Sequence, residues 1–218
     1  MPSRSVVLAG ATGLIGAQVL QDLLLEPEVG KVQVLARRAL DVSHPKLQVH
    51  VVDFGRLPAL APVDEAYLAL GTTIGIAGSQ AAFRAVDLDA NLAVAKAAVT
   101  AGAQRIALVS AVGADAKSSV FYNRVKGELE DALKALQLQA LVIAQPSLLL
   151  GDRKALKQPP RFGEGFAAPL MKLVSPLLPG RYRPVQGASV AQALVRTLPT
   201  ARGLVVLSSD ELARRRAG

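Results

Sequence analysis

A glycine-rich turn near the beginning of the chain constrains the fold more than any other feature of the sequence. The apolar run Ser5–Ala9 leads into this turn, and apolar residues then repeat at helical spacing over Leu14–Leu25. The turn carries Gly10, Gly13 and Gly16. In such a turn the first glycine allows a sharp bend, the second lets the backbone approach a pyrophosphate, and the third lets the helix pack closely on the strand. The pattern predicts a dinucleotide site at the start of the helix; the alternative is an empty structural turn.

The alternation of apolar runs and helical repeats along the chain predicts an α/β fold, a Rossmann-type doubly wound parallel sheet. We expect further strands at Val32–Ala36, Leu47–Val52, Ala66–Leu70, Arg105–Val109, Gln139–Ala144 and Gly203–Leu207. We expect further helices at Gln80–Ala101, Ser119–Leu136 and Ser189–Leu198. Glycine and proline become frequent over residues 151–184, which predicts an irregular substrate-side segment with a short helix near Phe166–Val174. We predict one NAD(P)-binding domain over residues 1–218 that includes this segment.

The composition excludes several classes of protein. The chain has no cysteine and two histidines, so a disulfide framework and thiolate catalysis are excluded, and we expect no metal site. No apolar run reaches the length of a membrane span, and no signal sequence is evident, so we expect no membrane contact and a cytoplasmic location. The net charge of +8 raises nucleic acid as a partner, but aromatic residues make up only 4% of the chain and the basic residues are dispersed. Both observations argue against nucleic acid as the main ligand.

The end of the second predicted strand indicates which dinucleotide is bound. NAD sites usually carry an acidic residue there, whereas this chain has Arg37 and Arg38. Two guanidinium groups would bind a 2′-phosphate that an acid would repel, so we predict that the cofactor is NADP(H) rather than NAD. The alternative is that the two arginines simply lie on a surface loop. Weaker signals at the ends of the third and fourth strands add cofactor contacts, which are Asp53, Leu70, Gly71 and Thr72.

A serine, a tyrosine and a lysine are the candidate catalytic residues. Ser110 directly follows the fifth predicted strand, and Tyr122 and Lys126 lie four residues apart on one face of the next helix. The lysine ammonium would stabilise a tyrosine phenolate and could hold the nicotinamide ribose. Ser110 would then hydrogen-bond a substrate carbonyl, and Tyr122 would protonate its oxygen as hydride arrives. The alternative is a partly buried tyrosine beside a surface lysine.

Together these motifs resemble the short-chain dehydrogenase/reductase superfamily, most closely its atypical, NmrA-like branch that includes the Tat-interacting oxidoreductase-like proteins. The matching segments are GATGLIG, VLARR, LGTTIGIAGSQAAFRAVDLDANLAVAKAA, LVSAVGADAKSSVFYNRVKGELE and AQPSLLLGDR. The resemblance implies catalytic roles for Ser110, Tyr122 and Lys126. It implies NADP(H) contacts at Gly10, Thr12, Gly13, Leu14, Ile15, Gly16, Arg37, Arg38, Leu70, Gly71, Ser110, Tyr122, Lys126, Pro146 and Ser147.

Two hypotheses for the function follow. The first is an NADP(H)-dependent oxidoreductase that reduces a small carbonyl compound, and seven basic against two acidic residues over 151–184 favour an anionic substrate. The second is a non-catalytic NADP(H)-binding redox sensor with a protein partner. Asp87 mildly favours the sensor, because many superfamily enzymes carry an asparagine at the corresponding position. A sugar-nucleotide epimerase fits less well because the C-terminal part is short. A monomer and a homodimer both remain open.

Overall fold

Seven parallel strands form the central sheet of this protein, for which a computed structural model describes residues 3–150 and 184–214. The strands of this sheet are β1 (Arg4–Ala9), β2 (Val29–Ala36), β3 (Leu47–Val51), β4 (Glu65–Leu68), β5 (Arg105–Val109), β6 (Ala140–Gln145) and β9 (Gly203–Ser208). Their spatial order is β3-β2-β1-β4-β5-β6-β9, and every neighbouring pair is parallel. Two short strands, β7 (Leu149–Leu150) and β8 (Val185–Gln186), pair separately. The order confirms the predicted doubly wound sheet and places its topological switch point between β1 and β4.

Helices cover both faces of the sheet. They are α1 (Leu14–Leu25), α2 (Ile74–Ala77), α3 (Gln80–Arg84), a π-helical turn (Ala85–Ala90), α4 (Asn91–Thr100), α5 (Phe121–Lys134), α6 (Gly187–Thr197), a 3₁₀ turn (Leu198–Thr200) and α7 (Ser209–Arg214). Within the described residues, no helix combines the length and the apolar character that a membrane crossing requires.

Alternate residues of β1 enter two separate hydrophobic clusters. Val6 and Leu8 pack with residues of α1 and α6, whereas Val7 and Ala9 pack with residues of α4 and α5. A strand that is buried on both faces needs a continuous apolar sequence, which is the pattern that predicted a parallel sheet. The two clusters therefore form the two layers of core on either side of the sheet.

The structure departs from the sequence-based element assignment in a few places. The helix predicted over Gln80–Ala101 is interrupted at the π-helical turn, where the backbone accommodates an extra residue around Asp87. The fourth strand ends at Leu68 rather than Leu70, so the predicted cofactor residues there lie in a loop. Helices α2 and α7 were not predicted. The helix expected near Phe166–Val174 lies outside the described residues, as does all but the last residue of the segment 151–184.

At two positions of the turn after β1, only glycine fits, because other backbone atoms come too close for a side chain. Gly10 has a φ of +95°, and a Cβ there would lie 2.3 Å from the Ala69 carbonyl oxygen. A Cβ on Gly16 would lie 2.0 Å from the carbonyl oxygen of Gly10. No side chain fits at either distance, so these glycines fix the start of α1 against the ends of β1 and β4. Gly13 differs, because a Cβ there would meet Gly10 oxygen only at 3.2 Å and Ala69 oxygen at 3.8 Å.

Candidate functional site

The sequence-predicted site residues lie at one edge of the sheet. Each follows the carboxyl end of a strand or belongs to a helix that packs there, and in a parallel sheet these ends meet at the same edge. The dinucleotide turn follows β1, Arg37 and Arg38 follow β2, and Asp53 comes two residues after β3. The loop after β4 carries Leu70, Gly71 and Thr72, Ser110 follows β5, and Pro146 and Ser147 follow β6. The candidate site is therefore the crevice edge at the switch point.

The start of α1 offers backbone amide groups at this edge. Gly13 is the residue that precedes the helix, so it has no side chain to cap the first amides, and the first turn contains no acidic residue. Uncapped amides and the positive end of the helix dipole favour an anion. The residues that would present these amides are Leu14, Ile15 and Gly16. Thr12 belongs to the preceding turn and is exposed.

The two arginines after β2 are exposed, whereas Asp53 is engaged locally. β2 pairs with β1, and Leu35 stands opposite Ala9, so Arg37 and Arg38 emerge beside the glycine turn. The carboxylate of Asp53 accepts a hydrogen bond from the Gly55 amide at 2.9 Å. This contact stabilises a tight turn after β3, which is the ordinary structural role of an aspartate in that position.

A buried ion pair joins the π-helical turn to α5. Lys126 Nζ lies 2.7 Å from Asp87 Oδ1, and the two side chains are 5% and 1% exposed. The other carboxylate oxygen of Asp87 accepts the backbone amide of Thr72 at 2.8 Å. Lys126 is therefore not the surface lysine of the alternative interpretation. Its direct partner is Asp87, the residue that stands where many superfamily enzymes carry an asparagine.

Asn91 completes the connection between this helix and the loop after β4. Its Nδ2 donates to the carbonyl oxygens of Leu70 and Asp87, both at 3.1 Å. Gly71 lies between these contacts, and a Cβ there would be 3.6 Å from Asp87 Oδ1 and 4.0 Å from Lys126 Nζ. The loop therefore sits directly against the buried pair, although sequence reasoning did not single out Asn91.

Ser110 is also buried, and its hydroxyl is hydrogen-bonded inside the protein. Ser110 Oγ donates to Glu130 Oε1 at 2.5 Å, and the amide nitrogen of Gln145 donates to Glu130 Oε1 and Oε2 at 3.0 and 3.2 Å. Sequence reasoning missed Glu130 and Gln145. The available signal was spacing, because Glu130 lies one helical turn after Lys126 and two after Tyr122.

The ring of Tyr122 is held by aromatic contacts. Tyr122 is half-buried, and its ring centroid lies 5.5 Å from that of Phe83, with the planes inclined at 45°. Phe83 is fully buried and also contacts Phe121 at 5.8 Å. Such tilted aromatic pairs contribute about 0.5–1.5 kcal/mol beyond area burial. Phe83, a fourth residue that sequence reasoning missed, therefore fixes the ring of the candidate acid.

The residues after β6 are anchored to the body of the domain. Pro146 is buried, and its carbonyl oxygen accepts the Val112 amide at 3.0 Å. The amide of Ser147 donates to Ser209 Oγ of α7 at 3.0 Å. The loop after β6 thus has a fixed position at the site edge. In the described part of the chain, no group of three or more histidines and acids is placed to hold a metal ion.

The fold at this site is the one shared by short-chain dehydrogenases and sugar-nucleotide epimerases. A short-chain dehydrogenase family protein from Francisella tularensis is similar with a TM-score of 0.70 at 14% identity, covering 97% of this chain and 99% of that one. MoeE5 in complex with UDP-glucose and NAD is similar with a TM-score of 0.68 at 17% identity. The similarity covers 95% of this chain and 79% of that one. These similarities confirm the superfamily fold that the motifs predicted.

The chain belongs to the FMP52 family. It is 34% identical to the mitochondrial protein fmp52 of Emericella nidulans over 81% of this chain and 80% of that protein. It is 36% identical to mitochondrial FMP52 of Eremothecium gossypii over 88% of this chain and 87% of that protein. No family model matches the chain.

The predicted cytoplasmic location is wrong, because these relatives point to a mitochondrial location instead. They are named as mitochondrial proteins at 34–36% identity. The expectation rested on the lack of cysteine and of a secretory signal. Lack of cysteine argues only against an oxidising compartment and does not distinguish the reducing compartments of a cell from one another.

Removal of Asp87 tests the buried pair. Asp87→Leu should lower the free energy of unfolding by about 3–5 kcal/mol, because it leaves the Lys126 ammonium buried without a counter-charge. The double variant Asp87→Leu/Lys126→Met should recover most of that loss. Urea unfolding measures both.

The exposed pair between Lys134 and Asp131 in the same helix is the matched control. Its atoms lie 2.9 Å apart, but the side chains are 40% and 61% exposed. Asp131→Leu should therefore change stability by less than about 1 kcal/mol. Equal losses for Asp87→Leu and Asp131→Leu would contradict a buried pair between Asp87 and Lys126.

Proposed function

We propose that this protein is an NADP(H)-dependent oxidoreductase that reduces a small carbonyl compound by hydride transfer. The observation that carries the proposal is the position of Lys126, which is buried and ion-paired at the same sheet edge as the glycine turn. Tyr122 lies one helical turn before it with its ring held against Phe83. A lysine is rarely buried for packing alone, so its placement beside a tyrosine at a switch point favours a chemical role.

The residues present fit a dinucleotide at the start of α1. The uncapped amides suit a pyrophosphate, and Gly13 leaves room for its approach. One solved structure of the same fold, MoeE5, is a complex with NAD, which supports a nicotinamide dinucleotide here. The choice of NADP(H) over NAD rests on Arg37 and Arg38, because two exposed guanidinium groups directly after β2 would bind a ribose 2′-phosphate.

In the proposed reaction, a dinucleotide held at the start of α1 would supply hydride to the substrate carbon. Tyr122 donates its hydroxyl proton to the oxygen, which becomes a hydroxyl group. The ammonium of Lys126 stabilises the phenolate that remains. Asp87 holds Lys126 in place, and Thr72 holds Asp87. The remaining predicted contacts, from Leu70 to Thr72 and at Pro146 and Ser147, would line the nicotinamide side of the crevice.

A redox sensor that binds the same cofactor without turnover is the second candidate. The ion pair favours it in one respect, because Asp87 partly neutralises the charge that Lys126 would offer to a phenolate. The two candidates differ in whether Tyr122 transfers a proton. They agree on the cofactor site, so cofactor binding alone does not separate them.

Removal of both arginines tests the cofactor preference. Arg37→Ala/Arg38→Ala should weaken NADPH binding by about 1.5–3 kcal/mol, which is about 10- to 150-fold, and leave NADH binding nearly unchanged. Isothermal titration with each cofactor measures the difference. Arg202→Ala removes an exposed arginine that directly precedes β9, outside the carboxyl-end edge, and serves as the control for net charge. Wild-type protein that binds NADH as tightly as NADPH would rule out the preference.

Substitution of the proposed acid separates the enzyme from the sensor. Tyr122→Phe should lower the rate of NADPH oxidation with any accepted carbonyl compound by about 10²–10⁴-fold, while NADPH binding stays nearly intact. The matched control is Tyr67→Phe, which removes a buried hydroxyl that donates to Glu65 at 3.0 Å and lies away from this edge. Turnover of Tyr122→Phe at the wild-type rate would make the tyrosine structural. Tight NADPH binding without turnover across a broad carbonyl screen would favour the sensor.

A further inference from the structure

Four exposed apolar residues, here called the apolar rim, border the candidate site on three neighbouring loops. Their exposed fractions are 38% for Ile74, 54% for Ile76, 55% for Val120 and 39% for Leu148. Two of them follow β4, one follows β5 and one follows β6. Because these three strands are neighbours in the sheet, the four residues emerge side by side at its carboxyl edge. Exposed apolar side chains that cluster in this way are typical of a ligand-binding surface.

The two isoleucines of the rim belong to a helix that buries none of its residues. α2 is capped at its start by Thr73, whose Oγ1 accepts the Ile76 amide at 3.2 Å, and at its end by Gly78, which has a φ of +83°. The exposure of its isoleucines therefore belongs to a defined local structure. α3 follows directly, and its Phe83 contacts the ring of Tyr122. α2 is thus joined through α3 to the proposed acid.

The other two rim residues lie on loops that are tied to each other. Val120 directly precedes α5, two residues before Tyr122. The loop that leads to Val120 meets the loop after β6 where the Pro146 carbonyl oxygen accepts the Val112 amide at 3.0 Å. Leu148 comes two residues after Pro146. The rim therefore surrounds the place at which a substrate would reach Tyr122.

The loops that carry the rim offer little charge to a ligand. No charged residue occurs over 66–83 or over 140–150. The loop after β5 carries one charge of each sign, and the carboxylate of Asp115 accepts the Lys117 amide at 2.9 Å. The buried ion pair beneath these loops has no net charge. An uncharged apolar group fits this surroundings better than an anion does, because a charge that leaves water without a partner is costly.

We propose that the substrate is an apolar carbonyl compound whose hydrocarbon part lies against Ile74, Ile76, Val120 and Leu148. This inference rests on the proposed function, because it assigns a substrate class to the same site. For a ketone, hydride would pass to the carbonyl carbon and the proton of Tyr122 to the oxygen, which gives a secondary alcohol and NADP⁺. The basic residues that favoured an anionic substrate lie outside the described residues. An anionic substrate is therefore the competing outcome of the test.

Steady-state oxidation of NADPH with 2-butanone, 2-hexanone and 2-octanone tests the assignment. Each added methylene group should raise kcat/KM about two- to fourfold, because it extends the part of the substrate that leaves water. The charged probe is 5-oxohexanoate, in which a carboxylate replaces the terminal methyl group of 2-hexanone. Its kcat/KM should lie about tenfold or more below that of 2-hexanone.

Substitutions in the rim should reduce the dependence on chain length. Ile74→Ser/Ile76→Ser should lower kcat/KM for 2-octanone about tenfold more than kcat/KM for 2-butanone. Val120→Ser tests the rim from a second loop, and serine is favoured at this position because it directly precedes α5. The matched control is Leu25→Ser, because Leu25 is 80% exposed at the far end of α1. This control should keep the wild-type dependence on chain length.

Binding gives a second readout that does not depend on turnover. Calorimetric titration of the three ketones into NADPH-loaded Tyr122→Phe should show affinities that rise with chain length. Values of kcat/KM and affinities that are the same for all three ketones would overturn the apolar assignment. A preference for 5-oxohexanoate over 2-hexanone would overturn it in favour of an anionic substrate. Absence of binding up to the solubility of 2-octanone would also overturn it.

These failures are distinct from failure of the proposed function. If Tyr122→Phe lowers turnover but chain length has no effect, only the substrate class is wrong. If the ketones bind in the expected order but none is ever reduced, the reductase proposal is wrong, and the rim is a binding site for apolar ligands without that chemistry.

Discussion

The close backbone contact of the glycine turn positions the rest of the site. Gly16 packs on the carbonyl oxygen of Gly10, and Gly10 packs on that of Ala69, at distances that leave no room for a side chain. This contact brings the start of α1 to the gap between β1 and β4, where the strand order reverses. It also fixes the position of the loop after β4. The uncapped amides and the loop therefore face the same crevice.

A chain of polar contacts extends from that loop across the site. The loop after β4 is tied to the π-helical turn through Asn91 and Asp87, and Asp87 is tied to Lys126 of α5. Two turns of α5 then carry Tyr122 before Lys126 and Glu130 after it, so one helix presents all three groups to the strand ends. Buried polar groups of this kind are stable only when each has partners, which explains why these residues are so closely interconnected.

Much of the fold could be predicted from the sequence, and the contacts between distant residues could not. The bounds of α1 and β5 match their predictions because apolar periodicity and flanking glycines are local signals. The π-helical turn was missed because the alanine-rich sequence around Asp87 has a continuous helical pattern. The partners of Lys126 and Ser110 were missed because Asp87 and Glu130 reach them through tertiary packing. Glu130 shares a helix face with Tyr122 and Lys126 by its spacing, but spacing does not reveal which strand end meets that face.

The measurement that tests the central claim most directly is calorimetric titration of NADPH into wild type, Gly13→Ala and Gly13→Asp. These variants test whether the start of α1 holds the pyrophosphate of a dinucleotide. Gly13→Ala adds a methyl group that would meet the Gly10 carbonyl oxygen at 3.2 Å and narrow the approach of the pyrophosphate, so it should weaken binding, but by less than Gly13→Asp. Gly13→Asp adds a negative charge at the anion site and should abolish binding, while far-UV circular dichroism stays native. A folded Gly13→Asp protein that binds NADPH as tightly as wild type would contradict the account.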